Sequence, residues 1–176
     1  MNPNLLLGFD ALVVATVGAV IDVRQHRIPN WLTYPAIAMG VLLRWFFFGW
    51  RGLGSALAGC LFAGGVVFLF YLVRAMGAGD VKLLAAIGSL VGPSDAVIVL
   101  AATAISGGVL ALLYVIFRRR VGAILRNVGS VLTFHSWNGL KAHPELNLDN
   151  PSALRMPYGL AIGTGTFYAF LTIWWR

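Results

Sequence analysis

Charge is what this chain has least of. Of its 176 residues only 11% are Asp, Glu, Lys or Arg, and only six of those are acids. With 59% hydrophobic residues and a mean hydropathy of +0.83, the chain has more nonpolar surface than one water-soluble core can hide, which excludes an ordinary soluble domain. Cysteine is nearly absent as well. Cys60 stands alone inside an apolar run, so there is neither a disulfide framework nor a Cys-x-x-Cys metal site. His135 and His143 are separated by a spacing with no metal signature and His26 has no near companion; no metal or cofactor is expected. No His-Glu-x-x-His occurs, nor a Gly-x-Ser-Gly with a plausible membrane histidine, which removes zinc and serine proteolysis.

What is present is apolar length. Runs at Leu5–Ile21, Trp31–Phe48, Leu53–Val73, Val81–Val91, Ala96–Phe117 and Pro157–Trp175, each fenced by charge, Pro or Gly, predict an all-α integral membrane protein with six transmembrane helices in a single domain over residues 1–176. The first run is read as a spanning helix rather than a secretory signal, because no Lys or Arg precedes Arg24 and no small-x-small cleavage pattern follows. The fourth run is short: about 11 residues reach roughly 17 Å against a hydrocarbon core of about 30 Å, so it is either a partial helix or one that starts below the surface. Between the fifth and sixth runs, Val121, Ile124, Leu125, Val128, Val131 and Leu132 recur at helical spacing. They predict an amphipathic helix on the cytoplasmic surface.

The net charge of +7 would suggest nucleic acid in a soluble chain; here the basic residues fall between apolar runs, so no nucleic-acid partner is read from them. Arg24, Arg27, Arg74, Lys82, Arg118, Arg119, Arg120, Arg126, Lys141 and Arg155 share one side, and Arg44, Arg51 and Arg176 the other. By the positive-inside rule the N-terminus is outside and the first, third and fifth loops are cytoplasmic. Asp22 then opens the first loop and Asp80 closes the third, at the same membrane face. Asp10 lies about 18 Å along its helix from Asp22, towards the opposite face. Asp95, after Gly92-Pro93, reads as a helix N-cap, and Glu145 and Asp149 sit in a polar loop.

An acid near the bilayer centre costs on the order of 3 kcal/mol, so such residues usually line a cavity or a reaction site. Two carboxylates that share a proton can hydrolyse a peptide without a nucleophilic side chain, one activating water while the other polarises the carbonyl. Asp22 and Asp80 meet that requirement. Before Asp80, Gly77 and Gly79 permit backbone angles closed to other residues and leave no side chain beside the acid; helix packing would use the same glycines. Gly79→Val is therefore expected to impair function more than Gly59→Val. After Asp22, Pro29 ends the extended chain and Asn30 is expected to cap a helix starting at Trp31.

Asp22 with the downstream Ile-Pro-Asn, the block GAGDVKLLAAIG and the late MPYGLAIGTG together resemble the type IV prepilin peptidases, among the intramembrane Gly-x-Gly-Asp aspartyl proteases. The resemblance implies that Asp22 and Asp80 are the catalytic pair. Gly77, Gly79, Lys82, Pro29 and Asn30 match the motifs around them. Pro157, Tyr158 and Gly159 resemble a segment near the site, possible contacts to substrate, although Pro157 equally suits the start of a helix. The implied partners are the bilayer and a prepilin whose short basic leader is cut from an apolar helix at the cytoplasmic face of a bacterial or archaeal-type inner membrane. The first cytoplasmic loop, Asp22 to Asn30, holds no cysteine; this resembles the short, peptidase-only form used with tight-adherence (Flp-type) pili, so methylation is not expected. The alternative is a small proton- or cation-coupled transporter using the same two acids.

Overall fold

A computed structural model describes residues 2–117 and 158–174; the expected amphipathic helix, Glu145, Asp149 and Pro157 lie outside the described residues. The described part is five helices: α1 (Pro3–Gln25), α2 (Asn30–Leu72), α3 (Ala78–Val91), α4 (Pro93–Phe117) and α5 (Tyr158–Trp174). α1, α2 and the Pro93–Leu113 stretch of α4 are long and apolar enough to cross a membrane, whereas α5 is a shorter apolar helix.

α1 begins where Pro3 occupies the first turn and the Asn2 side chain accepts a hydrogen bond from the Asn4 N–H at 3.1 Å, satisfying a donor that the helix leaves open. It ends at His26, which adopts the left-handed conformation (φ 50°) and donates its N–H to the Asp22 carbonyl. The helix therefore runs past the expected end at Ile21. Asp22 sits in its last turn, not at the start of a loop.

α2 has 43 residues, roughly 65 Å of helix and twice a hydrocarbon core. It is broken at Gly49 (φ 59°, ψ −145°), a conformation open to glycine and strained for other residues. Two arms result, 30–48 and 50–72, which correspond to the second and third expected spans joined by a corner instead of a loop. Trp45, Phe46, Phe47, Phe48 and Trp50 crowd that corner, and the last four of these with Trp45 are all at least a third exposed. Such aromatic side chains suit the boundary between lipid and water.

α3 is the helix that the others surround. With 14 residues it is about 21 Å long, too short to cross a membrane by itself, and Leu83, Leu84, Ile87 and Leu90 are essentially without solvent contact. Its most extensive packing is against α2; α5 packs on α4 and α1, and α1 on α3. The α2–α3 approach is limited by backbone: a Cβ on Gly59 would overlap the Gly88 carbonyl oxygen, and a Cβ on Gly88 would overlap that of Gly59. At its far end α3 is finished by Arg44, whose Nη1 donates to the Leu90 carbonyl at 2.9 Å. Asp95, expected as an N-cap, instead lies in the first turn of α4 behind Pro93; Gly92 precedes the helix, and the carboxylate there is within electrostatic reach of Arg44.

Gly59 is thus a contact glycine and not the inert comparison that the sequence suggested. A Cβ on Gly65, by contrast, would meet nothing within 4 Å. Gly59→Ala should lower stability by about 1–3 kcal/mol through overpacking, while Gly65→Ala should be neutral or slightly stabilising. Thermal unfolding of the detergent-solubilised protein tests this, and equal midpoints would contradict the close α2–α3 approach.

Candidate active site

The last turn of α1, the first turns of α2, α3 and α5, and the two short connections 26–29 and 73–77 gather at one end of the bundle. They enclose a cavity of about 330 Å³, lined among others by Asp22, His26, Ile28, Gly77, Gly79 and Asp80. Asp22 and Asp80 are 7% and 9% exposed. Two carboxyl groups far apart along the chain, one from α1 and one from α3, are therefore buried against the same space.

Each acid is held by a main-chain donor. The Gly77 N–H donates to Asp80 Oδ2 at 3.1 Å, and the Gly159 N–H donates to Asp22 Oδ2 at 2.8 Å. The bond from Gly77 favours the ionised form of Asp80. Asp80 lies in the first turn of α3, outside the three membrane-crossing lengths. Burial pushes its carboxyl up to about 6, the neighbouring Asp22 charge acts in the same direction, and the Gly77 N–H opposes both. This acid is therefore able to hold a proton near neutral pH, where an ordinary aspartate has lost it.

The glycines owe their place to proximity. Gly77 has ordinary extended angles (φ −79°, ψ 151°) and Gly79 is helical, so the expectation of unusual backbone angles fails. Instead, a Cβ on Gly77 would lie 3.3 Å from Asp80 Oδ2, one on Gly79 3.0 Å from Ile28 Cβ, and one on Gly159 2.8 Å from Asp22 Cβ. Side chains at these positions would push on the acids or on the connection that faces them.

Asn30 also differs from its expected role. Pro29, with extended angles, occupies the position before α2, and Asn30 is already helical. Its Oδ1 accepts from Lys82 Nζ at 2.9 Å, and the same ammonium lies 5.1 Å from the centre of the Tyr34 ring. The Ile-Pro-Asn stretch and the Gly-x-Gly-Asp turn are thereby fastened together: Ile28 against Gly79, Asn30 and Tyr34 against Lys82.

Tyr158 rests on Gly107 of α4, 3.1 Å from where a Cβ would be, and its phenol is within electrostatic reach of Asp80. Of the late segment, Tyr158 and Gly159 are thus brought to the acids. His26 and Arg27 also line the cavity, next to Ile28 of the Ile-Pro-Asn stretch, and these two lie outside the motifs singled out in the sequence. The signal was their position one turn after Asp22. Among the described residues no three His, Cys, Asp or Glu side chains cluster as metal ligands do.

The model of the type IV leader peptidase family matches residues 10–112. The chain belongs to this family and is a membrane-embedded peptidase. The matched stretch contains both buried acids and ends before α5. No curated protein and no solved structure matches the chain.

Because the Asp22 charge raises Asp80, Asp22→Asn should lower the pH at which the Asp80 carboxyl titrates, while burial keeps it above the ordinary value of 3.8. Infrared titration of the carboxyl band in reconstituted protein reads this out. An unchanged midpoint would mean that the two groups do not face each other.

Proposed function

We propose that the chain is an intramembrane aspartyl endopeptidase that removes the short basic leader from type IV, Flp-like prepilins at the cytoplasmic membrane boundary, with Asp22 and Asp80 as its catalytic pair. The observation that carries this reading is the pair itself: two buried carboxyl groups on one cavity, each with one main-chain N–H and, among the described residues, no basic side chain bonded to it. A structural ion pair would show a cation in contact.

The chemistry follows from a shared proton. The ionised acid removes a proton from water, whose oxygen bonds to the scissile carbonyl carbon while the protonated acid passes its proton to the carbonyl oxygen. The tetrahedral diol then collapses: one hydroxyl proton returns to a carboxylate, the carbonyl re-forms, and the C–N bond breaks as the amine takes a proton from the acid. Each turnover restores one proton to the pair. With Asp80 pushed up to about 6, Asp80 fits the proton-holding partner and Asp22 the base. Gly77 and Gly79 line the cavity beside Asp80, where an extended substrate backbone would lie. Family membership favours peptide hydrolysis over proton-coupled transport by the same acids.

Co-expression with candidate prepilins, followed by separation of precursor and mature bands, tests the assignment. Asp22→Asn and Asp80→Asn should each abolish processing while still accumulating in the membrane, because Asn keeps the size but cannot cycle a proton. Near-normal cleavage by either variant removes that residue from the pair. The pH profile supplies a second check. Raising pH deprotonates a carboxyl with a raised midpoint, so processing should fall above about 6, by roughly tenfold per pH unit in the simplest case. A rate that stays flat from about pH 5 to about pH 8 is incompatible with a proton held on Asp80.

A further inference from the structure

The cavity at the acids is polar, but a second concavity is not. Along the seam between α1 and α5 runs a groove of about 420 Å³, extending on α1 from Leu12 to Arg24, roughly 18 Å or just over three helical turns. We propose that this groove seats the apolar helix of the substrate alongside α1 and α5, with the end that bears the leader at Arg24 and therefore beside Asp22. The inference rests on the endopeptidase reading and adds the surface by which the substrate reaches the acids.

Its floor is made of small residues, Thr16 and Ala19 on α1 with Gly163 and Thr164 on α5. The two helices touch there, since a Cβ on Gly163 would lie 3.1 Å from Ala19 Cβ. Small residues let a further helix approach closely in lipid, where packing drives association because lipid tails are as apolar as the side chains. The groove offers no spare threonine donor. The Thr16 hydroxyl donates to the Leu12 carbonyl at 2.7 Å, and that of Thr164 to the Leu160 carbonyl at 2.9 Å. With those donors engaged on their own helices, the groove suits an apolar helix and not a polar ligand.

Continuity with the acids selects that occupant. The Ala19–Gly163 contact in the floor lies one turn from the Asp22–Gly159 hydrogen bond, on the same two helices. A helix in the groove ends where that bond begins. Two other seams are closely packed: backbone meets backbone at Gly59 and Gly88 between α2 and α3, and Gly165 lies against the Thr103 backbone between α5 and α4. The α1–α5 seam joins exposed apolar walls, Val20, Val23 and Phe167, to a buried carboxylate.

The test uses the full-length enzyme in membranes with a co-expressed prepilin. A photo-crosslinking amino acid in place of Phe167, in the Asp80→Asn background that leaves substrate uncut, should label the prepilin helix, whereas the same probe at Leu61, 74% exposed on α2, should label lipid. Adducts at 167 with lipid only, or with residues 118–157 of the enzyme only, would overturn the proposal. Independently, filling the groove with Thr16→Trp or Thr164→Trp should raise the apparent KM by on the order of tenfold, with Leu61→Trp near wild type. If both groove variants process normally while the Asn variants are dead, the docking surface is wrong and the endopeptidase reading stands. If the Asn variants remain active, both fall.

Discussion

A carboxylate removed from water must be given hydrogen bonds in exchange, and the end of this bundle is built around that requirement. Asp22 is supplied from the start of α5 and Asp80 from the turn before α3. The first of these bonds joins residues 137 positions apart, so the placement of α5 and the state of Asp22 are one question. Moving α5 away would strip a buried acid of its donor, a loss of about 1–3 kcal/mol. The fold therefore holds α5 over the cavity through its chemistry as well as through packing.

The burial of Asp80 depends in turn on how α3 is enclosed. A 14-residue helix cannot match the thickness of a bilayer, and its start is left within reach of water while its apolar length is wrapped by α1, α2, α4 and α5. Contact glycines bring α2 close enough to do this. The result is an acid at the border between a dry interior and an open polar cavity, where its proton affinity rises without the group being cut off from solvent. That border is also where a leader ends and a membrane helix begins in the substrate proposed for this enzyme. Short helix and raised proton affinity are thus connected by the same geometry.

Conservative readings of individual residues fared unevenly, for physical reasons. Asn30 looked like a cap because Asn before a helix usually is one, but Pro29 already sets the extended angles there and Lys82 of another helix takes the amide oxygen. Gly77 and Gly79 looked like conformational glycines; their angles are ordinary and the crowding comes from Asp80 and Ile28. The boundary between the second and third spans looked like a loop because Gly49 to Gly52 interrupts the apolar pattern, yet a single left-handed glycine suffices to turn the helix.

What the sequence by itself determined is what depends on composition and on neighbours along the chain: the helical, membrane-embedded class, the positions of most helices to within a turn or so, and that Asp22 and Asp80, of six acids, come to the same end of the bundle. Apolar runs of that length have few other solutions, and buried acids are too costly to be incidental. Only the tertiary structure decided which donor each acid receives, that Asp22 lies within α1, that Gly59 meets Gly88, and that α1 and α5 frame an apolar groove. Those facts join residues tens of positions apart, where no local periodicity or cap signal reaches and the distance between backbones is set by the packing of the whole bundle.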